Sequence, residues 1–184
     1  MKFKILIICL FVFNIFSLGS EFSIDKATKV DRFLKKIRQK QKKSVFLRKI
    51  TFTQHELNSY LNIIYTKKYA PEVKYIKLNL ENGNYVNGTM KVKLRGQKYE
   101  KVPSFLKDIE VEFNGKAECE NYRMRYFFED LKINGTNFSP EILDEAFSAA
   151  QTNFKIKKSI FDWFDLLPGL KNSVIEYKKI TLFY

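Results

Sequence analysis

The stretch ITFTQHELNSYLN, residues 50–62, carries the one histidine of this 184-residue chain, His55, with a glutamate directly after it. As chemistry it would be the edge of an active site; as structure it is the start of a helix. Thr53 and Glu56 have the spacing of a capping box, in which the hydroxyl accepts from the Glu56 amide and the carboxylate accepts from the Thr53 amide. Phe52 and Leu57 take the two staple positions around that box, and Leu57, Leu61 and Ile64 continue as one apolar stripe. His55 then falls on the second helical position, which faces solvent, and HELNS puts Ser59 where a zinc-protease helix needs its second histidine. The spacing predicts a helix and gives His55 no catalytic role.

Working outward toward the amino terminus, SVFLRKITFT sets Phe46, Ile50 and Phe52 on one face with Arg48, a short strand leading into that helix. Before it, DKATKVDRFLKKIRQKQKKS (residues 25–44) places Val30, Phe33, Leu34 and Ile37 at helical spacing, with Lys29, Lys36, Arg38, Lys40, Lys42 and Lys43 on the other faces. A basic amphipathic helix over residues 20–43 has two uses. It docks its apolar residues on the domain and leaves its lysines in water, or it lies on anionic lipid or a polyanionic envelope polymer, with Lys35, Lys36, Arg38, Lys40, Lys42 and Lys43 in contact. The formal charge of +13 is concentrated here, since residues 26–49 hold eleven Lys and Arg against one acid, Asp31. The rest of the chain is nearly balanced.

The first 22 residues, MKFKILIICLFVFNIFSLGSEF, show a short basic region at Lys2 and Lys4, an apolar run from Ile5 to Phe16 and small residues at Ser17 and Gly19. That run is shorter than the roughly 20 residues needed to cross a bilayer, so residues 1–19 are expected to be a cleaved signal peptide and the protein to be periplasmic or extracellular. Export removes cytoplasmic nucleic acid as a partner, whatever the charge. Cys9 lacks a lipobox, and after cleavage Cys119 stands alone, a thiol expected to be buried.

Toward the carboxyl terminus four Asn-Gly pairs punctuate the chain, and apolar alternation sorts them. Ile76, Leu78 and Leu80 alternate up to Asn82-Gly83, and Val86, Met90, Val92 and Leu94 alternate after it, so that pair is a hairpin turn. Gly88 and Gly115 instead fall in phase with the apolar faces of two strands, where glycine suits a bend or bulge. A turn at Glu120-Asn121 leads to Tyr122, Met124, Tyr126 and Phe128, whose phase slips at Glu129-Asp130 before Leu131 and Ile133, a further bulge. Ser139 and Pro140 open a second amphipathic helix carrying Ile142, Ala146, Ala149 and Ala150 on one side. After a break at Pro168-Gly169, SVIEYKKITLFY holds two apolar alternations around Lys178-Lys179 and ends as a strand. Residues 44–184 therefore read as a single α+β domain.

No residue set for catalysis or cofactor binding emerges. Cys119 lies on an apolar strand face without a second histidine, and one histidine with one thiol makes no metal ligand set. The acidic face of Glu110, Glu112, Glu118 and Glu120 is what a half-exposed strand shows, and no glycine-rich phosphate loop is present.

A short strand into TFTQHELNSYL, an Asn-Gly hairpin, long strands ending in LKINGTNFSPEIL, a helix, and the closing LPGLKNSVIEYKKITLFY together resemble small exported bacterial proteins with a tubular-lipid-binding-like (YceB-like) domain. The resemblance implies an antiparallel sheet of about four to six strands, strongly curved and wrapped around an amphipathic helix, with a second helix toward the carboxyl terminus. It also implies an apolar groove for a lipid or acyl chain, and brings no catalytic residues. The expected lining is Ile76, Leu78, Leu80, Val92, Leu94, Ile109, Val111 and Phe113 against Leu57, Leu61 and Ile64. The alternative is a ligand-free envelope scaffold held on anionic surfaces by the basic helix.

Overall fold

The computed structural model describes residues 21–39, 47–96, 100, 107–142, 144–145, 159 and 161–184. In chain order these form α1 (Ile24–Gln39), β1 (Lys49–Thr53) and α2 (Gln54–Tyr60), which passes through one π-helical turn at Leu61–Tyr65 into α3 (Thr66–Tyr69). Four long strands follow: β2 (Val73–Leu80), β3 (Tyr85–Lys93), β4 (Asp108–Glu120) and β5 (Arg123–Ile133). The short β6 (Thr136–Asn137) and β7 (Phe164–Asp165) and the hairpin of β8 (Asn172–Glu176) and β9 (Lys179–Phe183) complete the order. The expected signal peptide and Lys40, Lys42, Lys43, Phe46, Ala146, Ala149 and Ala150 lie outside the described residues.

The capping box forms as read: Thr53 Oγ1 accepts from the Glu56 amide at 3.2 Å and the Glu56 carboxylate accepts from the Thr53 amide at 2.8 Å. The π turn has a local cause. Asn62 Nδ2 donates to the Asn58 carbonyl at 2.8 Å and so competes for an acceptor of the regular helical ladder where the turn begins.

Two antiparallel sheets form among the described residues, where the sequence reading held one. The larger has the order β2-β3-β4-β5-β6, with β7 also against β5; the smaller has the order β1-β9-β8. Opposed residues share a face, so Leu78, Gly88, Phe113 and Leu131 make one apolar row of the larger sheet, and Ile76, Met90, Val111 and Ile133 make the next. Lys77, Thr89, Glu112 and Lys132 lie on the other face. The closing segment, counted from its sequence as one strand, is a hairpin turning at Tyr177-Lys178, where Lys178 has φ 57°. Its strand β9 is central in the smaller sheet and pairs with β1 from Lys49–Phe183 to Thr53–Lys179.

Three of the Asn-Gly pairs fall as the alternation predicts, and the fourth, Asn134-Gly135, is one that it leaves unassigned. Asn82-Gly83 and Asn134-Gly135 are turns, while Asn87-Gly88 and Asn114-Gly115 lie inside β3 and β4. At Asn114/Gly115 the register steps from Asp130 to Phe128, which leaves Glu129 as the extra residue of a bulge. Tyr126 lies over Gly115 and donates to the Val86 carbonyl at 2.5 Å. Burial, and then the Glu129 charge, push the Tyr126 phenol up, so the hydroxyl keeps its proton.

Two cores result. Ala27, Val30, Phe33 and Ile37 of α1 are all buried, and Val30, Phe33 and Ile37 pack with Phe52, Tyr60 and Leu170 against the smaller sheet. The docking use of the basic helix is therefore the one its apolar face serves. The second core gathers Leu80, Val86, Ala117 and Ile175, with Leu57, Leu78, Phe113 and Tyr126 packed around them.

Candidate functional site

A ladder of amides places α2. Gln54, Asn58 and Asn62 recur every four residues and face the outer edge of β2. Gln54 Oε1 accepts from the Leu80 amide at 2.8 Å, and Asn58 exchanges bonds with both backbone groups of Leu78 at 2.9 and 2.8 Å. Asn62 does the same with Ile76 at 2.9 and 2.5 Å. Four helical residues rise about 6 Å and two strand residues about 6.7 Å, so successive turns meet successive outward-facing backbone pairs. The side chains act as a surrogate strand and close an edge that would otherwise pair with another chain. The sequence reading followed the apolar stripe and missed this one, although its Gln-x-x-x-Asn-x-x-x-Asn spacing was visible.

With α2 fixed this way, the expected lining divides. Leu57, Leu78, Leu80 and Phe113 belong to the second core, and Leu61 and Ile64 pack on the first, toward α1 and the smaller sheet. Ile76, Val92, Leu94, Ile109 and Val111 are half-buried and belong to neither core formed among the described residues. Met90 and Ile133 share their rows. The apolar face is thus filled near the Asn82 turn and only partly covered toward the opposite end, where Val73, Val92 and Ile109 stand abreast.

The opposite face carries a cleft of about 500 Å³ lined by Asn79, Asn87, Thr89, Glu112, Asn114, Asp130, Lys132 and Asn137, together with Gly88 and Phe113. Gln54, Asn79, Asn87 and Glu81 are joined by a chain of side-chain hydrogen bonds along its rim.

His55 is engaged at both nitrogens: Nδ1 accepts from the Lys26 ammonium at 2.5 Å and Nε2 donates to the Glu21 carbonyl at 2.8 Å. It ties the start of α2 to the segment entering α1. Cys119 is half-buried with its sulfur 2.8 Å from Ser173 Oγ. Among the described residues no group of three or more His, Cys, Asp or Glu could hold a metal ion, and no helix is long and apolar enough to cross a membrane. Of the expected surface-binding cations, Lys35 pairs with Asp31 at 2.5 Å, Arg38 meets the Tyr69 phenol and Lys36 is exposed.

Burial pushes the Glu56 carboxyl up, but Lys29, 2.6 Å away, and the Thr53 amide outweigh burial and hold it below its ordinary value. A carboxyl lowered on folding contributes stability that is present above its unfolded value and lost as pH falls through the folded one. Glu56→Gln is therefore expected to lower stability at pH 7 by about 1 kcal/mol and to converge on the parent as pH falls below the ordinary carboxylate range. Urea midpoints across pH 3–7 check it; a constant difference between the two proteins would show that the charge is irrelevant.

Compared with protein-family models, with curated proteins and with solved structures, the chain matches none.

Proposed function

We propose that the chain is an exported envelope protein of the tubular-lipid-binding-like kind, its larger sheet curling around α2 to hold a lipid or other apolar ligand. The observation that carries the reading is the far end of the apolar face, where Ile76, Val92, Leu94, Ile109 and Val111 are half-buried outside both cores. Aliphatic side chains that serve neither core offer a ligand about 0.8 kcal/mol per buried methylene, enough for a chain of a dozen carbons to survive purification. Protein isolated without detergent is expected to carry an apolar ligand, seen by native mass spectrometry and solvent extraction. Val111→Trp or Leu94→Trp should expel it and leave the thermal transition within a few degrees of the parent. A bare polypeptide mass, with added fatty acids and phospholipids neither binding nor raising Tm, would remove the ligand.

In that case the scaffold alternative takes over. What favours it is that Leu57, Leu78, Leu80 and Phe113 already fill the other half of the face, and that the cleft lies on the polar side, where a hydrated envelope polymer would sit.

A further inference from the structure

The apolar face of α1 is spent on the first core, so the helix cannot insert into a bilayer as a free amphipathic helix would. Exposed aromatic surface next to cations occurs instead where the π turn passes into α3. Tyr65 and Tyr69 are 38% and 47% exposed with ring centroids 5.6 Å apart. Lys68 Nζ stands 5.1 Å from the Tyr69 ring, and Lys68, with Arg38 after it, holds the Tyr69 phenol below its ordinary value. Lys67 is exposed beside them, and residues 57–71 contain no acid.

Its position follows from the amide ladder. As α2 and the π turn advance through Gln54, Asn58 and Asn62, their partners step back through Leu80, Leu78 and Ile76, so α3 comes level with the start of β2. The Val73 amide donates to the Ala70 carbonyl, 2.9 Å away, directly after α3. The tyrosine pair therefore flanks the same end of the sheet at which Val73, Val92 and Ile109 stand abreast.

We propose that Tyr65, Tyr69, Lys67, Lys68 and Arg38 form a docking face for an anionic phospholipid bilayer, which sets the far apolar end of the sheet against the membrane surface. Tyrosine rings seat at the headgroup boundary, and the flanking cations meet lipid phosphates within a Debye length. Charge complementarity selects an anionic bilayer over a neutral one, and the paired rings select a bilayer over a dissolved polyanion. The inference deepens the lipid-binding reading and rests on it for its purpose, though not for its test.

The test is vesicle flotation of the chain as isolated from an exporting host, with the same amino terminus in every variant. The parent is expected to float with vesicles of 30% phosphatidylglycerol in phosphatidylcholine, to bind pure phosphatidylcholine at least tenfold less, and to release at 500 mM salt. Lys67→Gln/Lys68→Gln and Tyr65→Ser/Tyr69→Ser should each weaken flotation about tenfold with unchanged melting curves. Lys35→Gln/Lys36→Gln on α1 should weaken it less than twofold. Parent-like flotation of the tyrosine variant, an equal loss in the α1 variant, or tyrosine-independent retention on heparin would overturn the docking face, the last in favour of a soluble polyanion. Native mass spectra of the same samples separate the two ideas. Flotation without ligand defeats the groove alone, and ligand without flotation defeats the docking face alone.

Discussion

Gly115→Ala is expected to abolish cooperative folding or to cost about 3 kcal/mol or more, the largest effect expected of an added Cβ among the described glycines. A Cβ at this position would lie 1.9 Å from the Phe127 carbonyl oxygen, 2.9 Å from its carbon and 3.0 Å from the Tyr126 ring. Two of the three are backbone atoms of the paired strand, so no rotamer change relieves the overlap, and moving Phe127 would undo the bulge at Glu129. Gly135→Ala is the control. It sits in the same dipeptide, but nothing lies within 4 Å, and its φ of 77° carries only the ordinary left-handed penalty of about 1 kcal/mol. Urea denaturation followed by circular dichroism separates the two; equal midpoints would mean that β4 and β5 do not approach this closely.

Asn58→Ala is expected to cost about 2–4 kcal/mol, and the pair Asn58→Ala/Asn62→Ala more than either alone. Asn58 is 5% exposed, so its loss leaves the amide and carbonyl of Leu78 unpaired where water enters poorly. Asn58→Asp should be nearly as harmful, because a carboxylate still accepts from the Leu78 amide but has nothing to donate to its carbonyl. The second readout is association. Once the ladder is gone the β2 edge is a free template, and the double variant should form dimers or larger species by light scattering. A double variant that stays monomeric with the parent midpoint would show that the amides merely decorate a helix held by its apolar contacts.

What could be read from the sequence was local. The capping box, the placing of three Asn-Gly pairs and the slip at Glu129 each depend on residues within a few positions, and each is present in the fold. The closing hairpin was harder, because its turn uses Tyr177-Lys178 in place of glycine or asparagine, so the segment reads as one strand and not two. The pairing of β1 with β9 had no signal at all, since nothing in ITFT or KITLF names the other. The expected lining was legible as a shared face but not as a filled or open one, because filling depends on how α2 is held, and polar side chains hold it. Tyr65 and Tyr69 escaped notice because the apolar stripe had ended at Ile64.

The seam between β1 and β9 sets an order in time. Thr51 and Thr181, whose hydroxyls meet at 2.9 Å, are 130 residues apart, and the surface on which Phe33 lands is made by Phe52 and Tyr184 from the two sides of that seam. Until β9 arrives, α1 can meet Phe52, Tyr60, Leu61 and Ile64 from nearby sequence, but β1 lacks its strand partner among the described residues, so the smaller sheet cannot close. Closing so long a loop is slow, and contacts this distant in sequence put the chain among the slower folders of its size. The smaller sheet of this design stays open until β9 has emerged, so β1 carries an unpaired edge for most of synthesis.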